Sequence, residues 1–367
     1  MAERVTIQDI AGALGLSRNT VSKAINNTGI VAGATREKVL KKAVEMGYKQ
    51  FSYVNIPGIG ISGADTGFML PPDKNKNEIA LFTASFISNS HFVSNMLTIF
   101  QRGISDSGYT FTMHCIQEHE IRHLQLPDSY KAEKTAGIIC VEVFDPKYCS
   151  MLCRLDTPLL FVDSPASVFG EPLKADVLCM DNQSNIHIFV HEMVKRGKKR
   201  IGYIGGCVHC QSFTERYLGY RNAMYMCGLS CPEEYCITGN NSTVVNHSPK
   251  DCRKYLKSRI QSMVSLPDVF LCANDFIAID VLLVFKELGI SVPKDVWLCG
   301  FDDSQESRII SPTLTTIHVH SQIMGLSAVQ LLLSRIKDPS LNYRRVYTET
   351  SLIYRESTQD SIYKNPF

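Results

Sequence analysis

From Glu78 to Val319 the chain alternates short apolar runs with amphipathic stretches of helical length, and few architectures accept that pattern. The apolar runs are IALFTASF, YTFTMHCI, AGIICVEVF, PLLFVDSP, DVLCMD, RIGYIGG, YCITG, DVFLCAND, VWLCGFDD and LTTIHV. Between them lie HFVSNMLTIFQRGISDSG, NIHIFVHEMVKRG, ERYLGYRNAMYMCG and FIAIDVLLVFKELG. Strand signals alternating with helix signals predict parallel sheets joined by crossover helices. About ten strands exceed one comfortable doubly wound domain, so two such lobes are expected. In doubly wound sheets ligands bind beyond the carboxyl ends of the strands. Those ends carry Asp163, Asp181, Asn274–Asp275 and Asp302–Asp303, and Arg216 opens the helix after RIGYIGG. Each carboxylate or amide taken alone is equally a helix cap or turn former. Together with one guanidinium they favour a cleft for a neutral polyhydroxylated ligand, since each carboxylate accepts two hydroxyl donors and Arg donates in a fork.

The first 48 residues have another character. Thr6 precedes an apolar helical period, with Asp9 three residues on in capping-box position. That helix runs to about Leu14, and Gly15 supplies a turn. Ser17 caps a second helix ending near Asn26–Asn27. TREKVLKKAVEMGY forms a third, with Val39, Ala43 and Met46 on one stripe and Gly47 as its stop. Helix, four-residue turn, helix and a bracing third helix constitute a helix-turn-helix module. Residues 1–50 hold eight Lys/Arg against four Asp/Glu, whereas the rest of the chain holds 30 basic and 32 acidic groups. A basic module on a near-neutral body points to a polyanionic partner for the module alone.

The sequence also excludes. No apolar run approaches the ~20 residues of a bilayer span, and MAERVTIQDI has no secretory pattern, so the chain is read as cytoplasmic. The thirteen cysteines are then expected to be free thiols. Cys207 and Cys210 flank His209, but no second CxxC or His pair at metal spacing accompanies them, and they are read as plain thiols. No metal and no cofactor is expected. An enzyme is disfavoured: no GxGxxG opens a helix, no GxxxxGK[ST] loop occurs, and no Ser–His or Cys–His motif is recognisable.

The combination resembles the lactose-repressor/galactose-repressor (LacI/GalR) family of bacterial transcription regulators. The motifs are VTIQDIAGALGLSRNTVSKAIN (5–26), TREKVLKKAVEMGY (35–48), RYLGYRNAM (216–224), ANDFIAIDVLLVFKELGISVPKDVWLCGFDDS (273–304) and PTLTTIHV (312–319). The resemblance implies an N-terminal all-α helix-turn-helix module plus an α/β periplasmic-binding-protein-like body of two doubly wound parallel-sheet lobes. The DNA-binding domain would be residues 1–48, followed by an atypical linker or hinge at 49–77. The effector-binding domain would be 78–367, with an N-lobe of 78–178 plus 309–338 and a C-lobe of 179–308 plus 339–367.

By position in that family, Arg18 and Asn19 would read base edges, Arg pairing bidentately with guanine and Asn with adenine. Thr6, Ser17, Thr20, Ser22, Lys23 and Asn26 would hold phosphates and set register. The effector pocket would take Phe92, Asp163, Asp181, Arg216, Asn274, Asp275 and Asp302, with Phe92 either stacking on a sugar face or packing in the core. Trp297 is read as core. The implied function is a homodimeric regulator of repressor type on a pseudo-palindromic double-stranded DNA operator, whose lobes close on a mono- or oligosaccharide and re-angle the DNA modules. The competing readings are a sugar-binding receptor or transport-type protein without regulatory DNA binding, and a regulator of a non-sugar effector.

The sequence departs from the family after Tyr48. The usual hinge helix with its minor-groove leucine is replaced by KQFSYVNIPGIGISG, Gly- and Pro-bearing and without a matching Ala-Arg pair or Leu. Either Phe51, Tyr53, Val54 or Ile56 replaces the wedge, or the contact is lacking; the latter is favoured. Ala32 stands where a Ser cap is usual. His318 and His320 are read as packed or exposed rather than as a titrating pair. STQDSIYKNPF carries no heptads and argues against a coiled-coil tetramer.

Overall fold

Thr6 begins the first helix as its spacing to Asp9 requires. In the computed structural model, which describes residues 5–25, 31–46, 48, 76–84, 91–166, 171–239 and 249–358, Thr6 and Asp9 form a reciprocal capping box on α1 (Ile7–Leu14). The Asp9 carboxylate accepts from the Thr6 backbone N–H at 2.7 Å, and the Asp9 N–H reaches the Thr6 hydroxyl oxygen at 3.4 Å. Gly15 then turns the chain in the left-handed region at φ 64°, where a side chain would be strained. The next helices are α2 (Arg18–Ile25) and α3 (Gly33–Glu45). The Ala32 carbonyl accepts from the N–H groups of Thr35 and Arg36, so α3 starts two residues before TREK even without a side-chain cap. Val21, Ala24 and Ile25 of α2 are buried with Ile10, Ala11, Val39 and Ala43. Each fully buried branched side chain contributes ~1.5–3 kcal/mol. Ile323 and Leu326 of the body adjoin this cluster. The expected linker at 49–77 lies outside the described residues apart from Lys76 and Asn77.

The body follows as β1 (Glu78–Thr83), α4 (His91–Asp106), β2 (Thr110–Cys115), α5 (Glu118–His123), β3 (Thr135–Val141), α6 (Pro146–Leu152), β4 (Leu159–Val162) and β5 (Asp176–Met180). Next come α7 (Ser184–Lys195), β6 (Ile201–Ile204), α8 (Gln211–Met226), β7 (Cys236–Ile237), α9 (Pro249–Gln261), β8 (Val269–Cys272), α10 (Asp275–Leu288) and β9 (Trp297–Asp302). The chain closes with α11 (Gln305–Ile309), β10 (Thr315–Val319), α12 (Ser321–Lys337), β11 (Arg345–Thr348) and β12 (Thr350–Ile353). The strands form two six-stranded sheets, β11-β5-β4-β3-β1-β2 and β12-β10-β9-β8-β6-β7. Every described pairing is parallel except β10 with β12. Strands β3, β4, β5, β6 and β8 are buried throughout, which explains their unbroken apolar runs: a parallel sheet is covered on both faces. Trp297 is 3% exposed in the core, beneath the Lys198 ammonium.

The paths between lobes differ from the boundaries expected at 309 and 339. β10 pairs with β9 in the second sheet, Thr315 opposite Cys299 and Ile317 opposite Phe301, so the chain leaves that lobe only after Val319. β11 pairs with β5 in the first sheet, Val346 opposite Leu178, and the chain crosses again between Thr348 and Thr350. The reason is a buried ion cluster. Asp176, wholly buried at the start of β5, accepts from Arg335 of α12 at 2.9 Å and from Arg344, just before β11, at 2.7 Å. A carboxylate buried there requires both partners, and they hold the returning chain on the first lobe.

Candidate DNA-reading helix and effector cleft

On α2 the apolar residues turn inward, and Ser17, Arg18, Asn19 and Lys23 are exposed while Thr20 and Ser22 are half-buried. The Ser17 hydroxyl accepts from the Thr20 backbone N–H at 3.0 Å and lies 2.8 Å from the Thr20 hydroxyl. Ser17 is therefore the helix cap its position suggested. Thr6, at the head of α1, is exposed too. The helix start thus gathers hydroxyls and cationic side chains at the positive end of the helix dipole, an arrangement suited to phosphate. Asn26 lies outside the described residues.

In the body, Arg216 on α8 is the organising group. It is 3% exposed. Its Nε donates to the Asn182 amide oxygen at 3.0 Å, Nη1 to the Ala273 carbonyl at 2.6 Å, and Nη2 to Asp302 at 3.5 Å. The guanidinium also sits 3.6 Å from the centroid of the Phe301 ring, a cation–π contact that is strong when desolvated. Asn182 is fixed in turn by donating to Glu215 at 2.8 Å. Asp163, at the end of β4, faces α8 from the other lobe.

Four strand-end carboxylates have left-handed backbones without being glycine: Glu142 at φ 56°, Asp163 at φ 62°, Asp302 at φ 107° and Asp303 at φ 56°. Such conformations are costly and concentrate at ligand sites. Burial raises the Asp163 carboxyl, opposed by hydrogen bonds from Ser164, Cys210 and Ser212 and by Arg216. Burial pushes Asp302 up to about 6 despite Arg216, with Glu142 and Asp163 adding to the push. Asp163, Arg216 and Asp302 thus converge from both lobes into one electrostatic unit.

The lobes touch across this unit. The Gln211 N–H donates to the Ser164 carbonyl at 2.8 Å, and the Ser212 N–H to the Asp163 carboxylate at 3.1 Å. The Tyr347 hydroxyl of β11 donates to Glu215 at 2.9 Å. Phe144 meets His209 edge-on, ring centroids 5.0 Å apart, and burial lowers His209 to about 4, leaving it neutral. The Cys210 thiol faces Asp163, so the CVHC segment packs at the lobe junction.

Other expected cleft residues are engaged elsewhere. Asp275 is wholly buried; its carboxylate accepts from the Ser304 N–H at 2.7 Å and the Thr316 hydroxyl at 2.6 Å. It ties α10, the β9–α11 turn and β10 together behind Asp302. Burial, then Asp302, pushes its pKa up to about 8. A Cβ at Gly300 would meet an Asp275 carboxylate oxygen at 2.1 Å, so the glycine makes room for that buried acid. Asn274 caps α10, accepting from the Ile277 N–H at 3.0 Å. Asp181 closes the turn that leads into α7, accepting from the N–H groups of Gln183 and Ser184 at 3.0 Å each. Although burial works against its charge, those bonds lower its pKa. The Phe92 side chain lies outside what the structure describes. Asn182, Glu215, Tyr347 and Glu142 were not legible as cleft residues: Asn182 and Glu142 stand one or two positions beyond a strand end, Glu215 lies within α8, and Tyr347 sits on a strand with no apolar run.

The second aspartate of the FDD turn, Asp303, is a separate device. It accepts from Arg308 at 2.6 Å and from His318 Nδ1 at 2.9 Å, and pairs with Arg355. Burial works against its charge, but the bonds from His318 and Arg308 and the nearby Arg355 hold its carboxyl well below the usual range. His318 packs edge-on against His320 at 4.8 Å, and both are buried beside the crossover into α12.

Comparison with known proteins gives two domain matches, bacterial regulatory proteins of the lacI family over residues 6–50 and a periplasmic binding protein-like domain over residues 190–358. The HTH-type transcriptional regulator GalR of Streptococcus thermophilus is 26% identical over 364 residues, covering 96% of this chain and 99% of that protein. The HTH-type transcriptional repressor PurR of Photobacterium profundum is 24% identical, covering 97% and 99%. Among solved structures, a transcriptional regulator CelR–cellobiose complex superposes with a TM-score of 0.67 at 23% identity, covering 96% of this chain and all of that one. The lac repressor dimer bound to operator and the anti-inducer ONPF gives 0.63 at 19%, covering 98% and 100%.

Proposed function

Since the chain belongs to the lacI family of bacterial regulatory proteins, and is a helix-turn-helix transcriptional regulator rather than an enzyme, we propose that it is a sugar-responsive repressor. Residues 1–48 bind the operator and residues 78–367 bind the effector. Arg18 and Asn19 read base edges in the major groove, while Thr6, Ser17, Thr20, Ser22, Lys23 and Asn26 hold phosphates. Two copies place their α2 helices on a pseudo-palindromic site.

The observation that carries the effector reading is the Asp163–Arg216–Asp302 unit, built from both lobes, with the lobes in contact around it. Two half-buried carboxylates and a fixed guanidinium suit the vicinal hydroxyls of a sugar ring. Asn274, beside the Ala273 carbonyl that Arg216 uses, completes the set from the head of α10. Asp275 and Asp181 act behind it, by positioning their own turns. A ligand bridging Asp163 and Asp302 would change how tightly the lobes close, and so bias the DNA modules by the ~1–3 kcal/mol usual for such coupling.

The test is selection of an operator from random duplexes with the full chain, then titration of the complex with mono- and disaccharides. At least one sugar is expected to change operator affinity about tenfold or more, and Arg216→Ala to lose that response while still binding DNA. A sugar panel without effect, or an Arg216→Ala protein that responds normally, would overturn the reading.

A further inference from the structure

The thirteen cysteines are all free thiols, and two of them meet. Cys231 lies in the connection after α8, Cys236 opens β7, and a short 3-10 turn (Glu233–Tyr235) brings the second back beside the first. The Cys236 thiol is near enough to act on the charge of Cys231. Both also reach one hydroxyl: Cys231 Sγ lies 3.2 Å and Cys236 Sγ 3.9 Å from Tyr220 Oη. Tyr220 is wholly buried, donates to the Ile201 carbonyl at 2.7 Å and stacks on Tyr203, so the hydroxyl is a fixed post for the sulfurs. Cys231 is half-buried at the surface and Cys236 is 4% exposed behind it.

We propose that Cys231 and Cys236 form a reversible dithiol–disulfide modification site that reacts with hydroperoxides. The site lies outside the cleft and does not depend on the effector's identity.

The two sulfurs have different tasks. The neighbouring Cys236 thiol, helped by Tyr220 and Arg221 and opposed by burial, draws the Cys231 thiol down to about 6, and Cys231 and burial in turn raise Cys236. Near neutral pH Cys231 is the thiolate, the reactive form. It attacks the distal peroxide oxygen; the O–O bond breaks, Cys231 becomes a sulfenic acid, and the alkoxide or hydroxide leaves as alcohol or water after taking a proton. The Cys236 sulfur then attacks the sulfenic sulfur and loses its proton to the departing hydroxide, which leaves as water. Two thiols and one hydroperoxide give one disulfide, one water and one alcohol or second water; reduction by any dithiol reverses it. Seven other thiols are held protonated: burial raises Cys140, Cys179, Cys210, Cys272 and Cys299 well above the ordinary value, and pushes Cys153 and Cys252 up to about 11. The disulfide also changes what meets the Tyr220 hydroxyl, one helical turn beyond Arg216 on α8, which gives oxidation a path to the cleft.

The test uses the full-length protein with one equivalent of hydrogen peroxide, blocking of free thiols, and cleavage after glutamate. Cleavage at Glu233 and Glu234 separates the two cysteines, so their fragments stay joined only if the disulfide links them. The joined pair is expected as the first disulfide, dissociating on reduction. In Cys236→Ser a sulfenic-acid trap is expected on Cys231, and in untreated protein at pH 7 Cys231 should alkylate roughly tenfold faster than an ordinary exposed thiol. A first disulfide between other cysteines, or a trap landing elsewhere, would overturn the proposal.

Discussion

Replacing Asp302 by asparagine should strengthen the fold and weaken the site, and the two effects can be measured separately. The Asp302 side chain is 13% exposed and has Arg216 as its cationic partner at 3.5 Å. Burial carries its pKa from the ordinary 3.8 to about 6, so the folded protein prefers the neutral acid. A folded pKa above the unfolded one means that stability is greatest below pH 3.8, falls as pH rises through about 6, and is level above that. Two units correspond to roughly 3 kcal/mol against folding at neutral pH and above. Asparagine keeps the shape without the charge. Arg216 loses its Asp302 contact but keeps Asn182 and Ala273, so roughly 1–3 kcal/mol of stabilisation should remain, with the melting temperature of the body rising by roughly 2–4 °C per kcal/mol. Effector affinity should move the other way. A hydrogen bond to a charged acceptor contributes ~1.5–3 kcal/mol, so binding is expected to fall ~10- to 150-fold. Calorimetric melting of both proteins at pH 5 and pH 8, with effector titration, supplies the numbers, and the stability gain should be larger at pH 8. A variant that melts at or below wild type at pH 8 would refute the reasoning, because the ion pair would then outweigh the burial of its acid.

Arg18→Ala should erase operator preference yet leave weak binding that declines steeply with salt; footprints unchanged from wild type would remove Arg18 from base reading. Tyr347→Phe deletes the hydroxyl that joins β11 to Glu215 across the lobes, and effector affinity should drop about tenfold or more; equal affinity by titration would mean that this bond plays no part in closure. Asp303→Asn leaves Arg308, Arg355 and His318 around a neutral amide, a loss of ~3–5 kcal/mol visible in the urea midpoint. Because the folded Asp303 carboxyl titrates below its unfolded value, its contribution is present above about pH 4 and is lost as pH falls, so wild type and variant should converge in acid. A variant as stable as wild type at pH 7 would show that the network is dispensable.

Much of this was legible in the residues. The ten apolar runs quoted are strands β1 to β10; for the central ones the reason is that a strand covered on both faces by helices has to be apolar along its length. The capping box at Thr6, the turn at Gly15 and the cap at Ser17 follow from interactions spanning three or four residues, which a linear sequence displays directly. Strands β11 and β12 were missed because RVYT and TSLI are short, mix polar with apolar residues and lie at sheet edges, where no continuous run is needed. A strand-end aspartate looks the same whether it caps its own helix or faces across a cleft. Asp181 turned to Gln183 and Ser184, Asp275 to Ser304 and Thr316, and only Asp163 and Asp302 share Arg216.

The sequence alone determined the local and periodic features: the three-helix module with its polar reading face, the strand–helix alternation, and the family whose motifs it carries. Tertiary structure decided where chain segments remote in sequence meet. It sent β10 to one sheet and β11 to the other, because Thr316 answers Asp275 on one side and Arg335 and Arg344 answer Asp176 on the other. It also selected, from several carboxylates of the same kind, the pair that Arg216 can reach. Buried charge is costly unless partnered, and Thr316 lies 41 residues from Asp275 while Arg344 lies 168 from Asp176, distances that only folding closes.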